Sequence, residues 1–320
     1  MTAATTTATL RLGTRGSELA RTQSQAVADA ITAATGTPVE LVHIVTEGDR
    51  SSAAIAQLGG TGVFVAAIRR ALLEGSVDLA VHSYKDLPTA AEPGLIIAAV
   101  PAREDPRDAL VARDGLTLGE LPPGARVGTG APRRTAQLRA LGLGLDVVAI
   151  RGNVDTRMAR ALGEDADLDA VVLARAGLAR LGRLDAVTET LDPLQVLPAP
   201  AQGALAVECR TSDARTRELL GRLEHPASRA CVVAERSTLA ALEAGCSAPV
   251  AAYAELAEGD TGPELYLRAS VTALDGSDAV RGSVTGPVAD AAALGRALAA
   301  ELLDRGAAEL MSPPSSEVLR

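Results

Sequence analysis

Asp78-Leu79-Ala80-Val81-His82-Ser83-Tyr84-Lys85-Asp86-Leu87-Pro88 reads as a short apolar strand that runs straight into a polar turn. Before it, residues 63–74 have helical spacing and stop at Gly75. The same grammar extends outward in both directions. Leu10-Arg11-Leu12-Gly13 is a strand, and Ser17 caps a helix running towards Ala34. The β-branched run 39–45 predicts a buried strand, and 95–100 another. Strands alternating with helices predict right-handed crossovers and a largely parallel sheet. Ligands of such sheets gather at the carboxyl ends of the strands, which is where this polar turn lies. The turn also holds Lys85, the only lysine; all other Lys/Arg positions are arginine. Lysine is a compact point charge and arginine a planar fork, so one ammonium kept beside Asp86 points to a chemical requirement there.

The pattern restarts near residues 101–106. Residues 125–128, 146–150 and 170–173 read as strands, with helices starting near Arg133 and after Asn153. Pro198-Ala199-Pro200 reads as a linker, and residues 205–208 as a strand returning to the first unit. From His225 a long helix reaches Glu243, then strands at 248–256, 264–272 and 279–285 precede a last helix over 288–305. The reading is therefore an α/β protein of three parts: residues 1–101 with 203–222, residues 102–202, and an α+β segment over 223–320. The Thr/Ala-rich start and the tail at 312–316 read as disordered ends.

Composition narrows the function. The 320 residues carry a net charge of −9 and four aromatics, Phe64, Tyr84, Tyr253 and Tyr266. A stacking platform for nucleic acid is excluded on that count, and a polyanion spread over the surface on the charge. Residues 126–160, however, hold seven arginines against Asp146 and Asp155. A basic stripe inside an acidic protein suits a small multivalent anion. Cys209, Cys231 and Cys246 are an odd set with no paired spacing, so neither a disulfide scaffold nor a metal site is predicted. The cysteine usage fits a reducing setting, and a cytoplasmic chain is the expectation; no export signal is read at the start and no apolar run approaches the roughly 18 residues of a membrane helix.

Four polar tracts come after predicted strands: Thr14-Arg15-Gly16-Ser17, His82 to Asp86, Gly128-Thr129 with Arg133-Arg134, and Arg151-Gly152-Asn153 with Arg157. Three bring arginine, and the second brings Lys85, together with backbone N–H groups past a strand end, a ready anion site. His43 reads as core. His82 is a candidate base with no readable partner. Cys209 and Cys231 read as structural, whereas Cys246, after Gly245 where a helix ends, sits on a loop and is a candidate nucleophile or attachment point.

Taken in order, these tracts, with Ala201-Gln202-Gly203-Ala204, Glu208-Cys209-Arg210 and Gly245-Cys246, resemble the porphobilinogen deaminase (hydroxymethylbilane synthase) family over about residues 11–256. The resemblance implies two periplasmic-binding-protein-like lobes around a cleft and a small third domain. It implies a monomeric enzyme joining four porphobilinogens head to tail, with loss of ammonia, onto a dipyrromethane cofactor attached by a thioether to Cys246. Asp86 matches the catalytic aspartate. Ser83, Lys85, Thr129, Arg133, Arg134, Arg151 and Gly152 match cofactor contacts. Arg15, Ser17, Arg151, Arg157, Arg180 and Gln202 match substrate contacts, with Gln202 at a hinge. Arg134→Ala and Arg151→Ala are then expected to impair elongation more than stability. The chain departs from the family at Gln57 and Thr61, usually lysines, and at Gly130-Ala131, usually serines. The rival reading is a two-lobed carboxylate-binding protein without chemistry, which leaves Asp86 and Cys246 unexplained. A cysteine hydrolase would need a histidine partner, and none is readable.

Overall fold

The computed structural model describes residues 8–44, 62–243, 248–259 and 262–311. The predicted roles of Gln57, Thr61, Cys246 and the tail at 312–316 lie outside the described residues. The chain divides into two compact units, Met1–Arg103 with Ala204–Arg229, and Glu104–Gly203 with Ala230–Arg320.

The first unit is a five-stranded sheet built from β1 (Leu10–Thr14), β2 (Val39–His43), β3 (Leu79–Ser83), β4 (Leu95–Ala99) and β10 (Leu205–Arg210), in the order β2-β1-β3-β10-β4. Helix α1 (Glu18–Thr35) connects β1 to β2, and α2 (Gly62–Leu73) precedes β3. The side chain of Ser17 accepts from the Ala20 N–H and caps α1; Gly36, at φ +70°, closes it. Its buried residues Gln23, Val27 and Ile31 recur at a four-residue spacing, giving one inward stripe. Val27 and Ile31 pack with Leu12, Leu79 and Val207 on one face of the sheet. Ile68 and Leu72 of α2 pack with Val77, Ala80 and Leu95 on the other. A strand covered on both faces reads as continuous apolar sequence, and β3 is buried along four of its five residues.

Two expectations need correction. The sheet is mixed: β1 pairs in parallel with β2 and β3, but β10 runs antiparallel to both β3 and β4. And β2, read as a buried strand, lies at the sheet edge and is only half-buried. β-Branched residues fit an edge as well as a core.

The second unit contains two sheets. One repeats the first unit's arrangement, with β5 (Asp108–Ala112), β6 (Arg126–Thr129), β7 (Asp146–Ala149), β8 (Ala170–Ala174) and β9 (Glu189–Thr190) in the order β7-β6-β8-β5-β9. Here too β6 is parallel to both neighbours while β5 is antiparallel to both of its own. Helices α3 (Pro132–Ala140), α4 (Val154–Leu162) and α5 (Arg175–Arg180) come after β6, β7 and β8. The other sheet is an antiparallel meander of β11 (Val250–Gly259), β12 (Gly262–Thr272) and β13 (Ala279–Pro287). Its apolar face, with Ala252, Leu265, Leu267 and Val271, packs with residues of α7 (Pro226–Ala241) and α8 (Ala291–Asp304), among them Ala234 and Leu298. Helix α6 (Ala214–Gly221) belongs to the first unit, and the short α9 (Ala307–Met311) to the second.

At Gly295, helix α8 lies directly against α7. A Cβ there would collide with the Ala234 carbonyl oxygen and lie 2.8 Å from the Ser237 Cβ. Gly295→Ala is therefore expected to destabilise the protein by about 1–3 kcal/mol, the range for overpacking a filled contact. A lowered denaturant midpoint with an unchanged slope is the predicted signature.

Candidate active site

β1 and β3 are adjacent and parallel, so their carboxyl ends meet. Residues at these two strand ends line one cavity of about 140 Å³: Arg15 and Ser17 after β1, His82, Ser83 and Asp86 at and after β3, joined by Gln23 from α1. The turn after β3 is a single 3-10 turn over Tyr84–Asp86, closed by the Leu87 N–H on the Tyr84 carbonyl at 3.3 Å. It brings Asp86, half-buried, to the cavity wall. The Ser83 hydroxyl donates to Gln23 Oε1 at 3.3 Å. Ser17 is exposed and its oxygen is an acceptor in the α1 cap, so it serves the helix as well as the cavity. His43 is exposed, not core, and its ring covers Gly16: a Cβ on Gly16 would lie 2.7 Å from Nε2.

Behind this cavity sits a charge cluster that the sequence alone did not reveal. Glu208 of β10 is opposite Ala80 of β3, which puts it on the same face as His82. Its carboxylate accepts from Arg69 Nη2 at 2.9 Å and meets His82 Nε2 at 3.1 Å. Glu208, His82 and Arg69 are all buried. Burial alone would raise the Glu208 carboxyl, but the hydrogen bonds from His82 and Arg69 and the positive charge of Arg69 leave it below the usual carboxylate range. A charged residue inside the apolar run 205–209 was the available signal.

In the second unit, Arg133, Arg134 and Gln202 converge on Asp108, the first residue of β5, which is fully buried. Arg133 Nη2 lies 2.7 Å from Oδ2, Arg134 Nη2 2.8 Å from Oδ1, and Gln202 Nε2 2.7 Å from Oδ1. Arg133 Nη1 donates to the Leu197 carbonyl and Arg134 Nη1 to the Val172 carbonyl. Burial would raise the Asp108 carboxyl, but the two arginine charges and the hydrogen bonds from Arg134 and Gln202 hold it far below its ordinary range. Arg133 and Arg134 are each only 4% exposed. Sequence reasoning missed β5, and Asp108 with it, because the strand opens directly after the charged run Arg103-Glu104-Asp105-Pro106-Arg107.

Arg180 donates to the Gly203 carbonyl; burial pushes its guanidinium down, with Glu104 opposing. Beside Gln202, the backbone takes positive φ at Ala201 (61°) and Gly203 (86°). Ala201 N–H is held by the buried carboxylate of Glu235. Thr129 is buried at the end of β6. The Arg157 guanidinium lies against Gly130, with Nη1 3.2 Å from where a Cβ would stand, so the departure at Gly130 makes room for that arginine. Arg151 and Gly152 are exposed ahead of α4, which Asn153 caps. Cys209 and Cys231 are buried, and burial pushes the Cys209 thiol up to about 11, which leaves it unreactive.

Two mixed α/β sheets of matching order, with arginine at the strand ends and a carboxylate in a small cavity, define an α/β protein equipped to handle an anion. The chain belongs to the porphobilinogen deaminase family. Residues 10–218 match "Porphobilinogen deaminase, dipyromethane cofactor binding domain", and residues 229–304 match its C-terminal domain. The porphobilinogen deaminase of Nocardia farcinica is 61% identical over 316 residues, covering 97% of this chain and 90% of that protein. That of Mycobacterium avium is 60% identical over 308 residues, covering 95% and 96%. Among solved structures, the methionine-binding protein MetQ aligns with 67% of this chain and 89% of its own at 12% identity and a TM-score of 0.41, a likeness too loose to bear on function.

The Asp108 cluster changes the expectation for Arg134. Removing one partner of a buried ion pair costs about 3–5 kcal/mol, so Arg134→Ala should lose stability as well as activity. The cluster also carries a pH signature. Because the folded Asp108 carboxyl is depressed, its contribution is present above about pH 4, the unfolded value, and is lost as pH falls below it. Asp108→Asn should be less stable near neutral pH and lose less stability on acidification; equal acid slopes for both proteins in denaturant titrations would count against this.

Proposed function

We propose that Asp86 is the catalytic carboxylate of an enzyme that deaminates porphobilinogen and polymerises four units head to tail into hydroxymethylbilane, in tetrapyrrole biosynthesis. The observation that carries this reading is the placement of Asp86, in a chain of this family, at the carboxyl end of β3 in a cavity shared with Arg15 and Ser83. Loss of an amine from a pyrrolylmethyl carbon leaves a cation delocalised onto the ring nitrogen. A half-buried carboxylate stabilises that charge far better than water can and can hand a proton to the leaving amine. Lys85, next in sequence, adds a positive charge beside the reacting groups.

The family's cofactor is a dipyrromethane, whose rings carry acetate and propionate groups. The donor set of the chain fits such a polycarboxylate. Arg15 is half-buried and Arg151 exposed at strand ends, and Arg157 is half-buried in the first turns of α4, with the hydroxyls of Ser17 and Ser83 in the Arg15 cavity. In this reading Arg15, Arg151 and Arg157 take carboxylates by their forks, while Lys85, Thr129 and Gly152 shape the contacts around them. Arg133, Arg134, Arg180 and Gln202 act through the buried Asp108 cluster and the Gly203 carbonyl, setting the backbone and the local positive charge. Cys246 holds the cofactor by a thioether. When bound, the dipyrromethane supplies the nucleophilic pyrrole terminus to which units are added. The reading extends to a monomer working in the cytoplasm; no helix among the described residues is long and apolar enough to cross a membrane.

Asp86→Asn tests the assignment. The amide keeps the shape but neither balances a cation nor donates as an acid. Turnover of porphobilinogen should fall by roughly 10²–10⁴-fold with the melting temperature unchanged. Near-native turnover would remove Asp86 from the chemistry.

A further inference from the structure

We infer that His82, oriented by Glu208, is a second proton-handling residue of this site, one that takes the ring proton displaced when a new unit is joined. The inference rests on the proposed deaminase activity. His82 lines the same cavity as Asp86. Its Nε2 lies 3.1 Å from Glu208 Oε2, and both side chains are buried. Glu208 is also held by Arg69 at 2.9 Å, and its carboxyl sits below the usual range, so it is an acceptor at neutral pH. An ionised carboxylate only accepts hydrogen bonds, so Nε2 donates in this contact. Nδ1 is the ring nitrogen left to take up a proton, and a neutral ring is the form the proposed step uses. A buried carboxylate setting one nitrogen of an imidazole so that the other acts as a base is the logic by which histidine serves in acid–base catalysis.

The chemistry needs such a base. In the addition of a second or later unit, the carbon–nitrogen bond of the incoming aminomethyl group breaks and its electron pair leaves on ammonia. A carbon–carbon bond forms to the α-carbon of the unit added before it. That carbon must then lose its hydrogen as a proton, with the bonding pair returning to the ring. Asp86 has given its proton to the leaving amine and is ionised while the cation lasts. His82 Nδ1 takes the ring proton, and the imidazolium returns it to Asp86, ready for the next amine. Atoms and charge balance with no other reactant. The charged groups facing His82 are Glu208 from β10, Arg69 from α2 with Glu92 at 3.3 Å behind it, and Asp86 and Arg15 across the cavity.

The test has two parts. In the ¹⁵N-histidine NMR spectrum of the wild-type holoenzyme near neutral pH, His82 should be the neutral tautomer protonated at Nε2. A doubly protonated ring, or a proton on Nδ1, overturns the inference. In His82→Gln, whose amide can still donate to Glu208, the melting temperature and the mass of the holoenzyme should be preserved. KM for porphobilinogen should stay within about twofold while kcat falls at least about 10²-fold. The wild-type kcat should decline on the acid side as the base is protonated, and the variant should lack that part of the acid limb. An unchanged kcat and pH profile, or a loss of kcat that merely tracks a loss of folding in both His82→Gln and His82→Asn, assigns His82 a structural role and overturns the inference. Failure of the underlying function would look different: the wild type itself would form no tetrapyrrole.

Discussion

Two guanidinium groups share one fully buried carboxylate at Asp108, and much of the second unit is organised by that arrangement. The cluster ties the start of β5 to the first turn of α3, and through Gln202 to the segment just after Pro200. Its charges do not cancel: two cations meet one anion, and the excess is a fixed positive charge inside the protein. Such an arrangement costs desolvation and is rarely the most stable solution on its own. It makes sense where a permanent positive charge has work to do, as it has in an enzyme whose substrate and product are polycarboxylates.

The first unit uses a related device with the opposite emphasis. There Arg69 and His82 share Glu208, close to a cavity whose working group is Asp86. In both units the acidic residue lies on the strand that runs antiparallel to its neighbours, Glu208 on β10 and Asp108 on β5. The reversed strand thus brings an anion among residues supplied by the parallel strands and their helices. The two sheets therefore repeat an electrostatic arrangement as well as a strand order.

Much of this was legible in the sequence. Alternating apolar runs marked the helices and most strands, because burial on both faces leaves a direct periodic trace. The N-cap at Ser17 and the strand-end placement of Asp86, Thr129 and Arg151 came from local rules. Pairing at a distance was not legible. β5 is five residues long and comes after a charged run, so nothing local marks it as a central strand. Arg133 and Arg134 look like surface arginines until Asp108, more than twenty residues earlier, is seen against them. His82 had no readable partner because Glu208 lies 126 positions away and meets it only across the β3–β10 pairing. The reversal of β10 leaves no trace in its own composition.

The most direct test of the account is the covalent state of the cysteines. The account requires a dipyrromethane on Cys246, with Cys209 and Cys231 buried and unmodified. Intact-mass spectrometry of protein purified from cells, together with peptide mapping, should show the added dipyrrole on the Cys246 peptide alone, and Cys246→Ser should show the bare chain. A wild-type mass equal to that of the sequence, or the dipyrrole on Cys209 or Cys231, would contradict it.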